Sequence, residues 1–249
     1  SALKRSAAKM KAPVKTGAAR FAVFFGDTRY HLPLLPLLAA PAGYTLTRLL
    51  NPKNDAPPPA PCTLVIFGAT GDLTARKLIP ALAALDQEGR LPEDVSVVGI
   101  GRRPWTNDEF RDRMRDAMAQ HSRQPHDGPR RAEFERRLTY YQMDFHDSAT
   151  YARLRHHLAN HCRDRHSAHY AFYLATGPEA FAPIVENLQA AGLTKKSTSW
   201  PRLLIEKPFG HDLASATALN AVLRKAFSER QIFRIDHYLG KEIVQSLLA

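Results

Sequence analysis

Leu64-Val-Ile-Phe67 runs directly into Gly68-Ala-Thr-Gly71-Asp-Leu73, and a segment with Leu78, Ile79, Leu82 and Leu85 at helical spacing follows. The pattern is that of a buried strand turning sharply through glycines into an amphipathic helix. Such a turn aims free backbone amides and the positive end of the helix at one point, which suits a pyrophosphate. Gly68 permits the tight turn. Gly71 lets backbone approach phosphate with no side chain in the way. The spacing is G-x-x-G rather than the commoner G-x-G-x-x-G, so this turn alone also fits a purely structural junction.

The next strand candidate sharpens the reading. Val95 to Ile100 ends at Gly101-Arg102-Arg103-Pro104, where a NAD-binding unit places an acid on the ribose hydroxyls. Guanidinium groups fork a phosphate dianion and stack on adenine, so two arginines here select the 2'-phosphate of NADP over NAD. The bland alternative is a pair of solvated arginines.

Outward from this pair of strands, short apolar runs alternate with longer segments of helical period. The strand candidates are residues 63–67, 95–100, 138–143, 169–174, 202–206 and 231–235. Helices are expected at 149–163, 179–191 and 213–226, the last opened by Asp212. Another follows the capping box Thr106-Asn-Asp-Glu109, with Phe110, Met114, Ala117 and Met118 as its apolar stripe. This order predicts an α/β fold of Rossmann type, a doubly wound, mainly parallel sheet with flanking helices. Before it, Asn51 to Pro61 has five prolines in eleven residues and reads as a stiff linker. Residues 1–60 carry nine bases against two acids, so much of the net charge of +11 belongs to this tail. The expected layout is a basic, disordered tail and linker over 1–61, a dinucleotide-binding domain over 62–235, and the start of another domain over 236–249. Ile243, Val244, Leu247 and Leu248 are helically spaced and meet no stop signal, which reads as a chain cut inside a helix.

Composition narrows the setting. With 44% hydrophobic and 24% charged residues in 249, the chain is of ordinary globular type. The most apolar stretch, Leu32 to Ala42, is broken by Pro33, Pro36 and Pro41, so no membrane partner is expected. Cys62 and Cys162 stand far apart, which leaves no disulfide framework and points to a reducing, cytoplasmic location. The basic tail lacks a groove-reading motif, so no nucleic acid is expected either. His157 and His161 share a helix face, but no acid supports them and arginines surround them, so that face reads as solvated and metal-free.

Two later clusters end predicted strands, where open α/β sheets bind ligands: Glu206-Lys207-Pro208-Phe209-Gly210 and Arg234-Ile-Asp236-His237-Tyr238-Leu-Gly240-Lys241-Glu242. So many charged groups at such edges are costly unless they pair or meet a ligand, and a phosphate explains them. At these residues, together with Gly68-Ala-Thr-Gly71-Asp-Leu-Thr-Ala-Arg-Lys77, the sequence resembles the glucose-6-phosphate dehydrogenase family from about Thr63 to Ala249. The resemblance implies an NADP-linked enzyme, a homo-oligomer in its complete form, that oxidises the C1 hydroxyl of glucose 6-phosphate to the lactone. It implies that His237, Tyr238 and Lys241 hold the sugar phosphate, that Lys207 contacts substrate near the nicotinamide, and that Asp236 orients the catalytic histidine. Gly68, Thr70, Gly71, Lys77 and Arg102 would cradle the coenzyme with Pro178, which matches a proline the family holds in a cis bond.

The chain departs from the family in two places. It reads Ala175-Thr-Gly-Pro178 where many relatives read Ala-Leu-Pro-Pro, and the histidine that serves the family as general base lies beyond Ala249. A non-catalytic NADP-binding module therefore stays open beside the dehydrogenase, as does, more remotely, nucleic-acid binding through the basic tail.

Overall fold

The computed structural model describes residues 21–22, 62–89, 91–122, 128–164, 169–195 and 201–235; the side chains of 21–22 and 162–164 are not among them. Seven strands form one sheet: β1 (Phe21–Ala22), β2 (Thr63–Phe67), β3 (Ser96–Gly101), β4 (Leu138–Gln142), β5 (Tyr170–Leu174), β6 (Arg202–Glu206) and β7 (Ile232–Ile235). Their order is β1-β7-β6-β5-β2-β3-β4, and every pairing is parallel. Helices α1 (Ile79–Gln87), α2 (Asn107–His121), α3 (Gly128–Arg136), α4 (Ala149–Asp164), α5 (Phe181–Ala190) and α6 (Leu213–Ala226) lie between the strands in sequence. The doubly wound α/β arrangement expected from the sequence is the one observed.

Burial on both faces explains why the strands read as continuous apolar runs. Leu64, Ile66, Val97 and Tyr173 pack on one face with Ile79 and Leu82 of α1 and Phe110 and Met114 of α2. Val65, Phe67, Val98 and Phe172 pack on the other with Leu154 of α4 and Phe181, Ile184 and Leu188 of α5. The Thr106 box forms as expected, its hydroxyl accepting from the Glu109 amide while the Glu109 carboxylate accepts from the Thr106 amide. Asp212 caps α6 in the same way with Ser215.

Four features depart from expectation. The segment 1–61, read as a disordered tail, contributes β1, which pairs Phe21 with Arg234 and Ala22 with Ile235. Two extended residues suffice to take up ladder groups of β7 that its pairing with β6 leaves over. The rest of that segment, and the helix expected over 241–249, lie outside the described residues. The helix after Gly71 begins as a π-helical turn, Thr74–Leu78, in which the Ile79 amide reaches back to the Thr74 carbonyl. Helix α3 has no apolar stripe to announce it. It is held by Phe134 in the core and by Glu135, which takes ion pairs from Arg115 and Arg131. The fourth departure is at the expected solvated histidine face: His157 stacks on Tyr141 at 4.6 Å, and His161 Nε2 lies 2.8 Å from Ser96 Oγ. Both rings are partly buried.

Candidate functional site

The chain leaves β2 toward β3 on one side of the sheet and leaves β5 toward β6 on the other, so a crevice opens between the ends of β2 and β5. Gly68 sits at its floor with φ +85°, a conformation L side chains rarely adopt. A Cβ built there would lie 2.4 Å from the Ala175 carbonyl oxygen and 3.1 Å from Thr176 Cγ2. Only glycine lets the two strand ends come this close.

The loop spends several amides on itself. Gly68 and Ala69 both donate to the Ile100 carbonyl, at 3.0 and 2.9 Å, and Gly71 donates to the Gly68 carbonyl at 3.0 Å. Thr74 Oγ1 reaches the same carbonyl at 3.3 Å. The Thr70 and Asp72 amides make no hydrogen bond among the described residues. Those amides, rather than that of Gly71, are available to an anion.

The end of β3 lies against this loop. A Cβ on Gly101 would meet Thr70 Cγ2 and Tyr140 Oη, each at 2.8 Å. Beyond it the two arginines part company. Arg103 lies over the Trp105 ring at 5.3 Å, and Arg113 lies over the same ring at 4.5 Å. The exposed Arg102 side chain makes no hydrogen bond, ion pair or ring contact among the described residues, so one guanidinium is unengaged at the strand end.

Lys77 is exposed in the π-helical turn, and Lys207 is exposed just past β6. Glu206 beside it accepts a 2.5 Å hydrogen bond from the Tyr173 hydroxyl, which burial, then the Glu206 charge and hydrogen bond, hold well above the ordinary tyrosine range. Pro178 is near the crevice, but the cis bond implied there is absent. Among the described residues the cis peptide is Lys207-Pro208. Gly177 is extended and Pro178 opens a 3-10 turn, where its fixed φ fits a first helical position and its missing N–H costs nothing. Asp236, His237, Tyr238 and Lys241 lie outside the described residues; the chain approaches them from Ile235, which is in register with Glu206.

Thr176, Tyr140 and Gln142 did not stand out in the sequence. Thr176 Oγ1 is a buried oxygen without a hydrogen-bond partner among the described residues, at the end of β5 beside Gly68. Its signal was the departure from Ala-Leu-Pro-Pro. The crevice fits a dinucleotide on three observations: a floor that a Cβ would fill, an orphaned hydroxyl at its edge, and a clear guanidinium at the end of β3.

A sequence model described as "Glucose-6-phosphate dehydrogenase, NAD binding domain" matches residues 65–246. The chain belongs to the glucose-6-phosphate dehydrogenase family. It is 44% identical over 186 residues to a glucose-6-phosphate 1-dehydrogenase of Bacillus subtilis, covering 74% of this chain and 37% of the relative. It is 42% identical over 204 residues to one from Chlamydia pneumoniae, covering 80% and 39%. Among solved structures, a glucose-6-phosphate dehydrogenase in complex with glucose 6-phosphate aligns with a TM-score of 0.66 at 33% identity, over 76% of this chain and 39% of the other. The Mycobacterium avium enzyme aligns with a TM-score of 0.62 at 37% identity, over 72% and 36%. The chain thus spans under two fifths of the length of these members of the glucose-6-phosphate dehydrogenase family. No helix among its described residues is long and apolar enough to cross a membrane.

Proposed function

We propose that this chain forms the NADP-binding part of a glucose-6-phosphate 1-dehydrogenase, whose complete form oxidises the C1 hydroxyl of glucose 6-phosphate to the lactone. The observation that carries the coenzyme choice is Arg102, its side chain without a hydrogen bond, ion pair or ring contact among the described residues at the end of β3, where an acid would favour NAD. In this reading residues 62–235 are the coenzyme domain and 236–249 begin the substrate domain of a cytoplasmic homo-oligomer. Gly68, Thr70, Gly71, Lys77 and Pro178 cradle the coenzyme, and Arg102 takes its 2'-phosphate. Lys207, His237, Tyr238 and Lys241 bind glucose 6-phosphate, with the cations facing its phosphate charge.

NADP, when bound, supplies the acceptor for the hydride that leaves C1. The hydroxyl proton must leave in step, or positive charge would build on the nascent carbonyl oxygen, so a positioned base is required. Asp236 serves as the carboxylate that orients this base. In sequence, Asp236 follows Ile235, the last residue of β7, which is in register with Glu206.

Calorimetric titration of the 249-residue chain with NADP and NAD tests the reading. NADP should bind more tightly, and Arg102→Ala should weaken it roughly ten- to hundredfold, the worth of a charged contact to phosphate. NADP affinity unchanged in the variant, or tighter NAD binding in the parent, would refute it.

A further inference from the structure

The turn that carries Arg102 and Arg103 is tethered from β4. The Tyr140 hydroxyl donates to the Arg103 carbonyl at 2.8 Å, and Gln142 Nε2 donates to the Arg102 carbonyl at 3.3 Å. The Tyr140 amide donates to Asn107 Oδ1 at 2.7 Å, so the same residue also holds the start of α2. Its ring packs against Trp105 at 5.8 Å and Phe110 at 5.3 Å. The space a Cβ on Gly101 would need is shared between Tyr140 Oη and Thr70 Cγ2, so the hydroxyl lies where the Arg102 turn meets the phosphate loop. A buried hydroxyl fixed at this junction sets how far the turn stands above the loop. In the turn itself, the exposed Arg102 side chain makes no hydrogen bond, ion pair or ring contact among the described residues that would steady it, so its position depends on where its backbone is held.

We propose that Tyr140 and Gln142 are positioning residues for coenzyme discrimination: from β4 they hold the Arg102 carbonyl and the Arg103 carbonyl, and thereby place the Arg102 guanidinium to take a 2'-phosphate. The inference rests on the NADP reading above and extends it to two residues that would not touch the phosphate. Tyr140 remains a donor throughout the neutral range, because burial pushes its hydroxyl up to about 12 against the lowering effect of Arg103. Arg103, drawn over Trp105 beside Arg113, is part of the brace rather than a second reader. A role confined to stability would move NADP and NAD binding together. A positioning role acts through one guanidinium, so it moves only the ligand that carries the 2'-phosphate.

The test titrates NADP and NAD into the 249-residue chain and its Tyr140→Phe, Gln142→Met, Arg102→Ala and Tyr140→Phe/Arg102→Ala variants, with thermal melting of each. Losing one neutral hydrogen bond should weaken NADP about two- to tenfold in Tyr140→Phe and in Gln142→Met, with NAD affinity held within about twofold. In the Arg102→Ala background, Tyr140→Phe should cost nothing further, because the group it positions is gone. If Arg102→Ala itself leaves NADP affinity unchanged, the NADP reading fails and the positioning role falls with it. If Arg102→Ala weakens NADP but Tyr140→Phe and Gln142→Met do not, or weaken NAD equally, or add to Arg102→Ala independently, the positioning role is overturned and the NADP reading stands. Gln142 is exposed, so its variant keeps the question open to measurement should Tyr140→Phe lower the melting point.

Discussion

Replacing Gly68 by alanine should be far more damaging than the same change at Gly71, although both glycines belong to one loop. At Gly68 the backbone holds φ +85°, and the new Cβ would stand 2.4 Å from the Ala175 carbonyl oxygen. The left-handed conformation costs an L-residue about 1–2 kcal/mol. Ordinary contact needs roughly 1 Å more room than the gap allows, and the obstacle is backbone, so the ends of β2 and β5 must separate. Forced displacement in a close-packed region costs about 1–3 kcal/mol more. The Ala175 amide donates to the Phe67 carbonyl at 2.9 Å across this gap, so the separation also strains a ladder bond. At Gly71 the backbone is not left-handed and the nearest obstacle, the Gly68 carbonyl oxygen, is 3.2 Å away, which asks for a small adjustment worth under about 1 kcal/mol.

The difference between the two variants is therefore about 1–5 kcal/mol, a substantial part of the roughly 5–15 kcal/mol by which a domain is stable. Urea denaturation of Gly68→Ala and Gly71→Ala, followed by circular dichroism, reads it as a shift in midpoint. Equal stability of the two variants would mean that the crevice floor is not pinched between β2 and β5, and the account of the switch point would be wrong.

Other expectations follow from groups around the sheet. Asp86 and Arg137 form a buried ion pair, and Arg130 Nε lies 3.3 Å from Asp86 Oδ2 as a second partner, so Arg137→Ala should destabilise by about 3 kcal/mol, the lower end for breaking a buried pair, while Asp86→Leu/Arg137→Met should recover most of that loss in the same denaturation assay. Burial lowers the His157 imidazole below its ordinary value of 6.5, so the unfolded chain takes up the proton first; stability is full above that value and is lost as pH falls through the folded one. His157→Phe should flatten this acid limb in urea midpoints measured across pH, though only in part, because burial and then the Arg202 charge lower His169 too. Thr176→Val removes a buried hydroxyl that lacks a partner among the described residues, so the ligand-free chain should melt at the same or higher temperature while NADP affinity falls severalfold by calorimetry. A lower melting point with unchanged affinity would assign that hydroxyl to the fold alone.

Six of the seven strands were legible within about one residue, because strands buried on both faces must be apolar throughout and the sequence has such runs where helical period fails. The caps at Thr106 and Asp212 were legible for a different reason: the bonds that form them are local, so three residues carry the whole signal. Features made by distant partners were not. Helix α3 buries little besides Phe134 and Glu135 and is tied through Glu135 to Arg115 on α2, twenty positions away, a pairing that leaves no periodic trace in Gly128–Arg136. Strand β1 is two residues long and exists through its register with β7, over two hundred positions further on. Nothing local distinguishes Phe21 and Ala22 from the rest of the basic tail.

The site divides along the same line. Gly68 and Arg102 were visible because each is the wrong residue for an ordinary strand end: a glycine where a side chain would pack, and a cation where an acid belongs. Arg103 looked equivalent to its neighbour, and sequence alone could not separate them, since what separates them is Trp105 and, through it, Arg113 of α2. Tyr140 did not stand out in the sequence, and by burial it is a core aromatic. What turns it toward the site is the position of a single hydroxyl, set by the register Gly99↔Tyr140 between β3 and β4. That register carries the next two residues of β3 past Tyr140 and brings the Arg103 carbonyl within 2.8 Å of its hydroxyl. A residue whose role is to hold a binding residue obeys the rules of packing, so its type reveals nothing; only the sheet register shows which loop it holds.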